Sequence, residues 1–149
     1  MLVYRITSRR YSADLHGTGC LYAAGRWHFK GTQILYTSEH ISLSKLEVLA
    51  NSIVTPQNQV LVTLELPEVG IIKEIDIKDL PADCWRFPYP DSLARVTEQW
   101  LDGSTSWLMK VPSAHSFNEF NYLLNPFHEL HRTIRIIDVE NIHFDARLK

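Results

Sequence analysis

The chain has 149 residues, 45% of them hydrophobic and 11% aromatic, which is typical of one compact domain. Folding of a chain of this length buries roughly two-thirds of its surface, so Cys20 and Cys84 need not form a disulfide. The formal net charge of −2 lacks the basic excess of proteins that bind nucleic acids directly, and argues against that function. The sequence has neither a secretion signal nor an apolar stretch that could span a bilayer, which predicts a cytoplasmic protein without membrane attachment.

Hydrophobic periodicity and turn residues predict the elements of the first half of the chain. Those elements are a strand at 2–6, a glycine-punctuated loop at 9–25, a strand at 33–37, a helix at about 42–53 and a strand at 60–66. The helix is predicted from the spacing of Leu46, Leu49 and Ile53, and its Leu46 and Leu49 face is expected to turn inward. Residues 60–66 alternate and are rich in β-branched side chains, as in a half-buried strand.

The second half of the chain predicts shorter elements. They are one broken strand or a strand pair at 71–77, an irregular proline-rich segment at 81–90, a helix that begins at Asp91 or Ser92 and stops at Gly103, a strand at 107–111, a loop or short helix at 118–130 and a strand at 133–139. Strands and helices do not alternate as βαβ units. The sequence therefore predicts a single α+β domain over residues 1–149 with a mixed or antiparallel sheet.

Several common site motifs are missing from the sequence. It contains no phosphate-binding P-loop, no G-x-G-x-x-G dinucleotide fingerprint and no G-x-S-x-G nucleophile motif. His128 and His131 lie three residues apart, but H-E-x-x-H and cysteine-pair patterns are absent. Both histidines are interpreted as surface or hydrogen-bonding residues, and no metal site is predicted.

Arg26 lies in the sequence Gly25-Arg26-Trp27-His28, which closes the long glycine loop just before the second strand. Glycine allows a backbone to approach a ligand closely, and an arginine placed there suits bidentate phosphate binding. The alternative is a structural arginine stacked on Trp27 or paired with a carboxylate. Tyr36, in the second strand, fits a core or rim aromatic as well as a surface on which a ligand could stack.

Glu47 also has two interpretations. Ser44-Lys45-Leu46-Glu47 has the form of a capping box, in which Glu47 would only start a helix. Alternatively, the helix carries Glu47 to the edge of a cleft beside the Arg26 loop. Ser113 after Val111-Pro112, and the run 121–126, can likewise be explained as turn residues.

Taken together, these segments resemble the RES-domain family, the toxin half of a class of bacterial toxin–antitoxin pairs. The motifs that carry the resemblance are Tyr4-Arg5-Ile6, Gly17-Thr18-Gly19, Gly25-Arg26-Trp27-His28, Leu35-Tyr36-Thr37, Leu46-Glu47-Val48-Leu49, Val111-Pro112-Ser113-Ala114 and the run from Asn121 to His128. They extend over nearly the whole chain, and their order and spacing are more specific than any one of them.

The resemblance implies a fold like that of ADP-ribosyltransferases and consumption of NAD as a substrate, with no separate cofactor. It implies catalytic roles for Arg26, Glu47 and Ser113. Substrate-binding roles follow for Tyr36, Arg5, Trp27 and Asn121. Glu47 would stabilise the oxocarbenium-like ribose and Arg26 would hold the diphosphate. Tyr36 would stack on nicotinamide, and Ser113 would position a hydroxyl, the nicotinamide or Glu47.

The acceptor of the ADP-ribose stays open, since water, phosphate and a protein side chain are all compatible with such a site. A non-catalytic protein-binding module is the alternative from a different functional class. The resemblance also implies a cognate helix-turn-helix antitoxin as partner, and it leaves open a homodimer within the toxin–antitoxin complex.

Overall fold

The computed structural model describes residues 1–103 and 105–149. The strands in that part of the chain are β1 (Leu2–Ser8), β2 (Leu35–Ser38), β3 (Gln59–Glu65), β4 (Ile72–Glu74), β5 (Leu108–Pro112), β6 (Phe120–Leu124) and β7 (Arg135–Ile142); the α-helices are α1 (Ile41–Ala50) and α2 (Asp91–Gly103). All the described strands form one seven-stranded sheet in the order β4-β5-β6-β2-β1-β3-β7. Neighbouring strands are antiparallel except β4 and β5, which are parallel. The predicted α+β class with a mixed sheet is confirmed.

Short 3₁₀ turns occupy much of the connecting chain. Two of them, Arg9–Tyr11 and Thr18–Leu21, lie within the segment predicted as a glycine-rich loop. A third, Ile77–Asp79, replaces the second part of the strand pair predicted at 71–77, so only Ile72–Glu74 is extended there. Across residues 1–103 and 105–149, the helices are all too short or too polar to cross a membrane.

The core is divided between the two faces of the sheet. Because successive strand residues point to opposite faces, β5 and β6 contribute to both sides. Leu108 and Leu124 lie in one buried cluster, together with side chains of β1 and β3. Met109 and Leu123 lie in the other, against Leu93 and Trp100 of α2, as the apolar spacing of that helix predicts. Packing on both faces of the sheet therefore fixes β5 and β6 in place.

The prediction of a loop or short helix at 118–130 is wrong for its central part. Phe120–Leu124 forms β6, which pairs with β2 on one side and β5 on the other. The strand is short and carries polar Asn121 and Tyr122 before the buried Leu123 and Leu124. The strand is stabilised by pairing with two neighbouring strands, and a local sequence pattern does not indicate such pairing.

The prediction for α1 needs two corrections. The helix begins at Ile41 after the N-cap His40, so Ser44 and Glu47 lie inside it and do not form a capping box. Ser44 instead donates its hydroxyl hydrogen to the carbonyl of Tyr4 at 3.1 Å. The Leu46 face does not turn inward, because Leu46 is 41% exposed. Ile53 lies beyond the end of the helix and is 98% exposed.

Candidate active site

A cavity of about 530 Å³ lies between α1, the middle of the sheet and the glycine-rich segment before β2. Its size is within the usual range for sites that bind small molecules or cofactors. All the predicted site residues except Ser113 line it, namely Arg5, Arg26, Trp27, Tyr36, Glu47 and Asn121. Ser113 contacts Glu47 directly. The fold therefore brings together residues that are far apart in the sequence.

One face of α1 forms a wall of this cavity. Ser44, Glu47, Val48 and Asn51 all line it, with the spacing expected of one helical face. This face is largely polar, in contrast to the Leu46 and Leu49 face on which the sequence prediction relied. The polar face is turned inward because it borders a cavity rather than the packed core.

The Glu47 carboxylate is held by three neighbours. Its Oε1 atom accepts a hydrogen bond from Asn121 Nδ2 at 2.7 Å and one from Ser113 Oγ at 3.3 Å. Its Oε2 atom lies 3.5 Å from His115 Nε2. The side chain of Glu47 is 26% exposed, so it is partly screened from bulk water but open to the cavity. One carboxylate oxygen is thus fixed by neutral donors, and the other faces a titratable side chain.

The donors to Glu47 are themselves oriented by neighbouring groups. Asn121 accepts from the hydroxyl of buried Ser38 through Oδ1 at 2.7 Å, which directs its NH₂ group at Glu47. Ser113 Oγ accepts from the backbone N–H groups of His115 and Ser116 at 3.0 and 3.2 Å. Its own hydrogen is therefore left to donate to Glu47. Of the three roles considered for Ser113, these contacts correspond to positioning Glu47.

Tyr36 ties the Arg26 loop to the sheet. Its hydroxyl accepts from the backbone N–H of Trp27 at 3.2 Å and donates to His28 Nδ1 at 2.7 Å. His28 Nε2 in turn donates to the carbonyl of Ala23 at 2.8 Å, so His28 is neutral in this arrangement. Burial lowers the pKa of His28, opposed by the hydrogen bond to Ala23, and burial raises the pKa of Tyr36. Both groups are thereby kept uncharged around neutral pH.

Gly25 is required at the start of this loop. A Cβ atom at that position would lie 2.6 Å from His28 Cε1, 2.8 Å from His28 Nδ1 and 3.1 Å from the Tyr36 hydroxyl oxygen. Gly25 also donates its N–H to the carbonyl of His28 at 3.1 Å, which closes a tight hairpin around Arg26. The sequence predicted that a glycine here allows close approach of the backbone to a ligand. In the structure, Gly25 allows close approach of the backbone to the side chains of His28 and Tyr36.

Arg26 lines the cavity where the glycine-rich loop meets the segment that precedes α2. Its guanidinium donates to the carbonyl of Cys84 and stacks over the ring of Tyr89, with 4.8 Å between the guanidinium carbon and the ring centroid. Tyr89 donates its hydroxyl hydrogen to Asn51 Oδ1 at 3.0 Å. These contacts link α1 to the Arg26 loop. The stacking partner of Arg26 is thus Tyr89, not Trp27.

Arg5 and Trp27 occupy more interior positions. Arg5 donates to the backbone carbonyl of Asp14, and its pKa is lowered by burial, opposed by the charge of Asp14. Trp27 is only 3% exposed and packs in the α2-side core cluster. Its indole therefore supports the cavity wall more than it offers a surface to a ligand.

Sequence reasoning did not identify three residues that shape this site, His115, Tyr89 and Asn51. His115 lies in a turn, and Tyr89 lies in a proline-rich segment whose conformation cannot be read from periodicity. Asn51 is recognisable only once Ser44 and Glu47 are known to share its helical face.

Fold and site together define an α+β protein with a held carboxylate and two arginines around one ligand-sized cavity. The family model of the RES domain matches residues 2–145. A protein named Toxin Res from Photorhabdus laumondii is 33% identical, over 99% of this chain and 97% of that protein. A protein named Prs ADP-ribosylating toxin from a Sphingobium strain is 32% identical, over 95% of this chain and 91% of that protein. The chain belongs to the RES domain family and is a toxin of that family.

A solved structure has the same fold. The crystal structure of the M. tuberculosis MbcT–MbcA toxin–antitoxin complex contains a chain that matches with a TM-score of 0.72. The match covers 99% of this chain and 85% of that chain, at 13% sequence identity. At that identity the likeness is one of fold.

Proposed function

We propose that this toxin cleaves the nicotinamide–ribose bond of NAD. The observation that carries the proposal is the Glu47 carboxylate, which is held by Asn121 and Ser113 at the wall of a cavity large enough for a cofactor-sized ligand. Nicotinamide leaves from a cationic ring as a neutral molecule, so bond cleavage needs no strong general acid. It needs stabilisation of the oxocarbenium-like ribose, which a fixed carboxylate supplies by charge and by a hydrogen bond to a ribose hydroxyl.

The remaining residues of the cavity fit the other parts of NAD. Arg26 presents a planar guanidinium for a charge-assisted fork to the diphosphate, and Arg5 adds a second cation to the same cavity. The ring of Tyr36 is half-buried at the wall, where nicotinamide can stack on it. No separate cofactor enters this reaction, because NAD is the substrate.

Transfer of ADP-ribose to a protein is a second candidate function. The name of the Sphingobium relative, Prs ADP-ribosylating toxin, favours it, because that protein is 32% identical to this chain. Cleavage of the same bond begins both reactions. They differ in whether water, phosphate or a protein side chain captures the ribose.

We infer that this toxin has an antitoxin partner; the family resemblance supports this, and the structural neighbour was crystallised in a toxin–antitoxin complex. We infer that the partner is a helix-turn-helix protein, which supplies the DNA binding that this acidic chain does not, and that the pair acts in the cytoplasm. A homodimer of the toxin within such a complex is part of the same proposal. The partner would inhibit by covering the cavity, with a carboxylate or a chain terminus near Arg26 and Arg5.

The proposal is tested by incubating the purified, antitoxin-free chain with NAD and no added metal, and identifying the products by chromatography and mass spectrometry. Nicotinamide with ADP-ribose indicates hydrolysis, nicotinamide with a phosphorylated ADP-ribose indicates phosphorolysis, and a mass gain on an added protein indicates transfer. NAD that stays intact at high concentrations of folded enzyme, with each acceptor supplied in turn, would refute cleavage and favour a non-catalytic binding module.

A further inference from the structure

His115 lies beside the proposed reacting carboxylate, in a turn that Ser113 stabilises. Its Nε2 atom is 3.5 Å from Glu47 Oε2, and its side chain is 26% exposed and lines the cavity. The backbone N–H of His115 donates to Ser113 Oγ, the same atom that donates to Glu47 Oε1. The turn therefore fixes the position of His115 relative to the carboxylate.

The two oxygens of Glu47 are not equivalent. Oε1 accepts from Asn121 and Ser113 and is occupied by these structural bonds. Oε2 is the oxygen left to meet a ribose hydroxyl, and it is the one that faces His115. A ribose bound by Oε2 would consequently lie next to the imidazole.

We propose that His115 is the general base that deprotonates the acceptor as the bond to nicotinamide breaks; the inference rests on the proposed cleavage of NAD. The bond between the ribose and nicotinamide breaks, and its electron pair leaves with nicotinamide. In the same step a water oxygen forms a bond to that ribose carbon, and one of its protons moves to His115 Nε2. The imidazolium so formed lies beside Glu47 Oε2, which stabilises it, and it returns the proton to solvent through its exposed side.

The surroundings of His115 suit this role. Among residues 1–103 and 105–149, the charged group in contact with the imidazole is Glu47, from α1. In the same turn, Ser113 Oγ accepts from the backbone N–H groups of His115 and Ser116, and Asn121 of β6 donates to Glu47 Oε1; the side chains of Ser113 and Asn121 are uncharged. The further titratable groups along the cavity are Arg5, Asp14, Cys20, Arg26, His28, Tyr4, Tyr36 and Tyr89. Histidine is the side chain that most readily exchanges a proton near neutral pH.

A positioning role for His115 would have different consequences. If the imidazole only held Glu47, its loss would slow the departure of nicotinamide whatever the acceptor. If the imidazole removes a proton from the acceptor, its loss slows the reaction with water. The reaction with an anion that carries no proton keeps its rate. Azide is such an anion and would form an azide adduct of ADP-ribose.

The test compares the wild-type chain with His115→Gln in phosphate-free buffer, with water or added sodium azide as acceptor. Glutamine keeps a polar side chain of similar size beside Glu47 Oε2, but it cannot take a proton. We expect hydrolysis to fall by about 10²-fold, the scale of lost general-base catalysis, and azide to restore nicotinamide release to near the wild-type rate. His40→Gln is the matched control, since His40 is 56% exposed and does not line the cavity.

Each other outcome overturns the proposal in a recognisable way. Equal losses with water and azide would assign His115 a positioning role, and unchanged hydrolysis in the variant would assign it none. Cleavage by the wild-type chain only when phosphate or a protein is the acceptor would overturn water activation while leaving NAD cleavage intact. Absence of nicotinamide release by the wild-type chain under every condition would overturn the proposed function itself, and this inference with it.

Discussion

Replacement of Glu47 by glutamine separates catalysis from stability. The amide oxygen of the new side chain can still accept from Asn121 Nδ2, as Glu47 Oε1 does at 2.7 Å, so most of the local hydrogen bonding is kept. What is lost is the negative charge, and with it the charge-assisted part of that bond. The whole bond to a charged acceptor is worth about 1.5–3 kcal/mol, so we expect the free energy of unfolding to fall by only about 1 kcal/mol.

The effect on turnover should be larger. Removal of one preorganised electrostatic group from an active site costs about 10²–10³-fold in kcat, or roughly 2.7–4 kcal/mol of barrier. Since Glu47 lies inside α1 and not at its start, loss of a helix cap makes no contribution. Turnover should therefore change much more than stability.

The measurement combines initial rates of nicotinamide release at saturating NAD with urea unfolding of the same preparations. Glu39→Gln is the matched control, because it removes one charge from a carboxylate that accepts from the backbone N–H of Phe120 at 2.8 Å and does not line the cavity. That variant should keep wild-type turnover. A loss of less than about tenfold in the Glu47 variant, with folding intact, would refute the role given to the carboxylate.

Further predictions concern the other groups of the cavity. Arg26→Lys keeps the charge but loses the planar fork, so titration calorimetry should show weaker NAD binding; unchanged affinity would move the phosphate site to Arg5. Ser113→Ala removes the acceptor of two backbone N–H groups and one of the two donors to Glu47 Oε1. It should lower the free energy of unfolding, measured by thermal unfolding, by about 0.5–1.5 kcal/mol and should also lower turnover. Ser113→Thr should restore both, and failure to do so would contradict the positioning role. A cognate antitoxin should compete with NAD in equilibrium titrations; a complex that binds NAD as tightly as the free toxin would exclude coverage of the cavity.

Elements that bury one regular face could be predicted from the sequence. The alternation of Val60, Val62 and Leu64 gives β3, and all three are fully buried in one cluster. Leu93, Val96 and Trp100 give α2 in the same way, and the helix is described from Asp91 to Gly103. In these cases the hydrophobic core and the local pattern specify the same structure.

Prediction failed where burial is not hydrophobic. The inward side of α1 carries Ser44 and Glu47 because it borders a cavity, so Leu46, on which the prediction relied, indicates the wrong side. The β6 strand carries Asn121 for the same reason, since its amide orients Glu47. Residues that build the site therefore disturb the very patterns by which their elements are recognised.

The site itself depends on contacts that are distant in sequence. Glu47 is separated by 74 residues from Asn121 and by 66 from Ser113. Local spacing therefore could not decide between a helix cap and a cleft carboxylate for Glu47. The family resemblance predicted Glu47 and Ser113 as parts of one site, but it did not indicate His115, whose place depends on the turn that follows β5.

The stability of the fold in acid should depend on a buried histidine outside the cavity. His131 is 6% exposed; its Nδ1 atom accepts from Trp107 Nε1 at 3.0 Å and its Nε2 donates to the carbonyl of Leu15 at 2.6 Å, so the neutral form is built into the fold. Burial lowers its pKa below the ordinary value of 6.5, opposed by the hydrogen bond to Leu15. The unfolded chain consequently binds a proton from about pH 6.5 downward while the folded chain does not.

The contribution of His131 to stability is therefore complete above about pH 6.5, and it is lost as the pH falls from there toward the lowered folded-state pKa. The slope approaches about 1.4 kcal/mol per pH unit for one such proton, and burial of His28 acts in the same direction. Urea unfolding at several pH values between about 7.5 and 5.5 should show this decline. His131→Gln can keep both hydrogen bonds without titrating, so it should flatten the decline. An equally steep decline in His131→Gln would mean that the acid sensitivity arises from other groups.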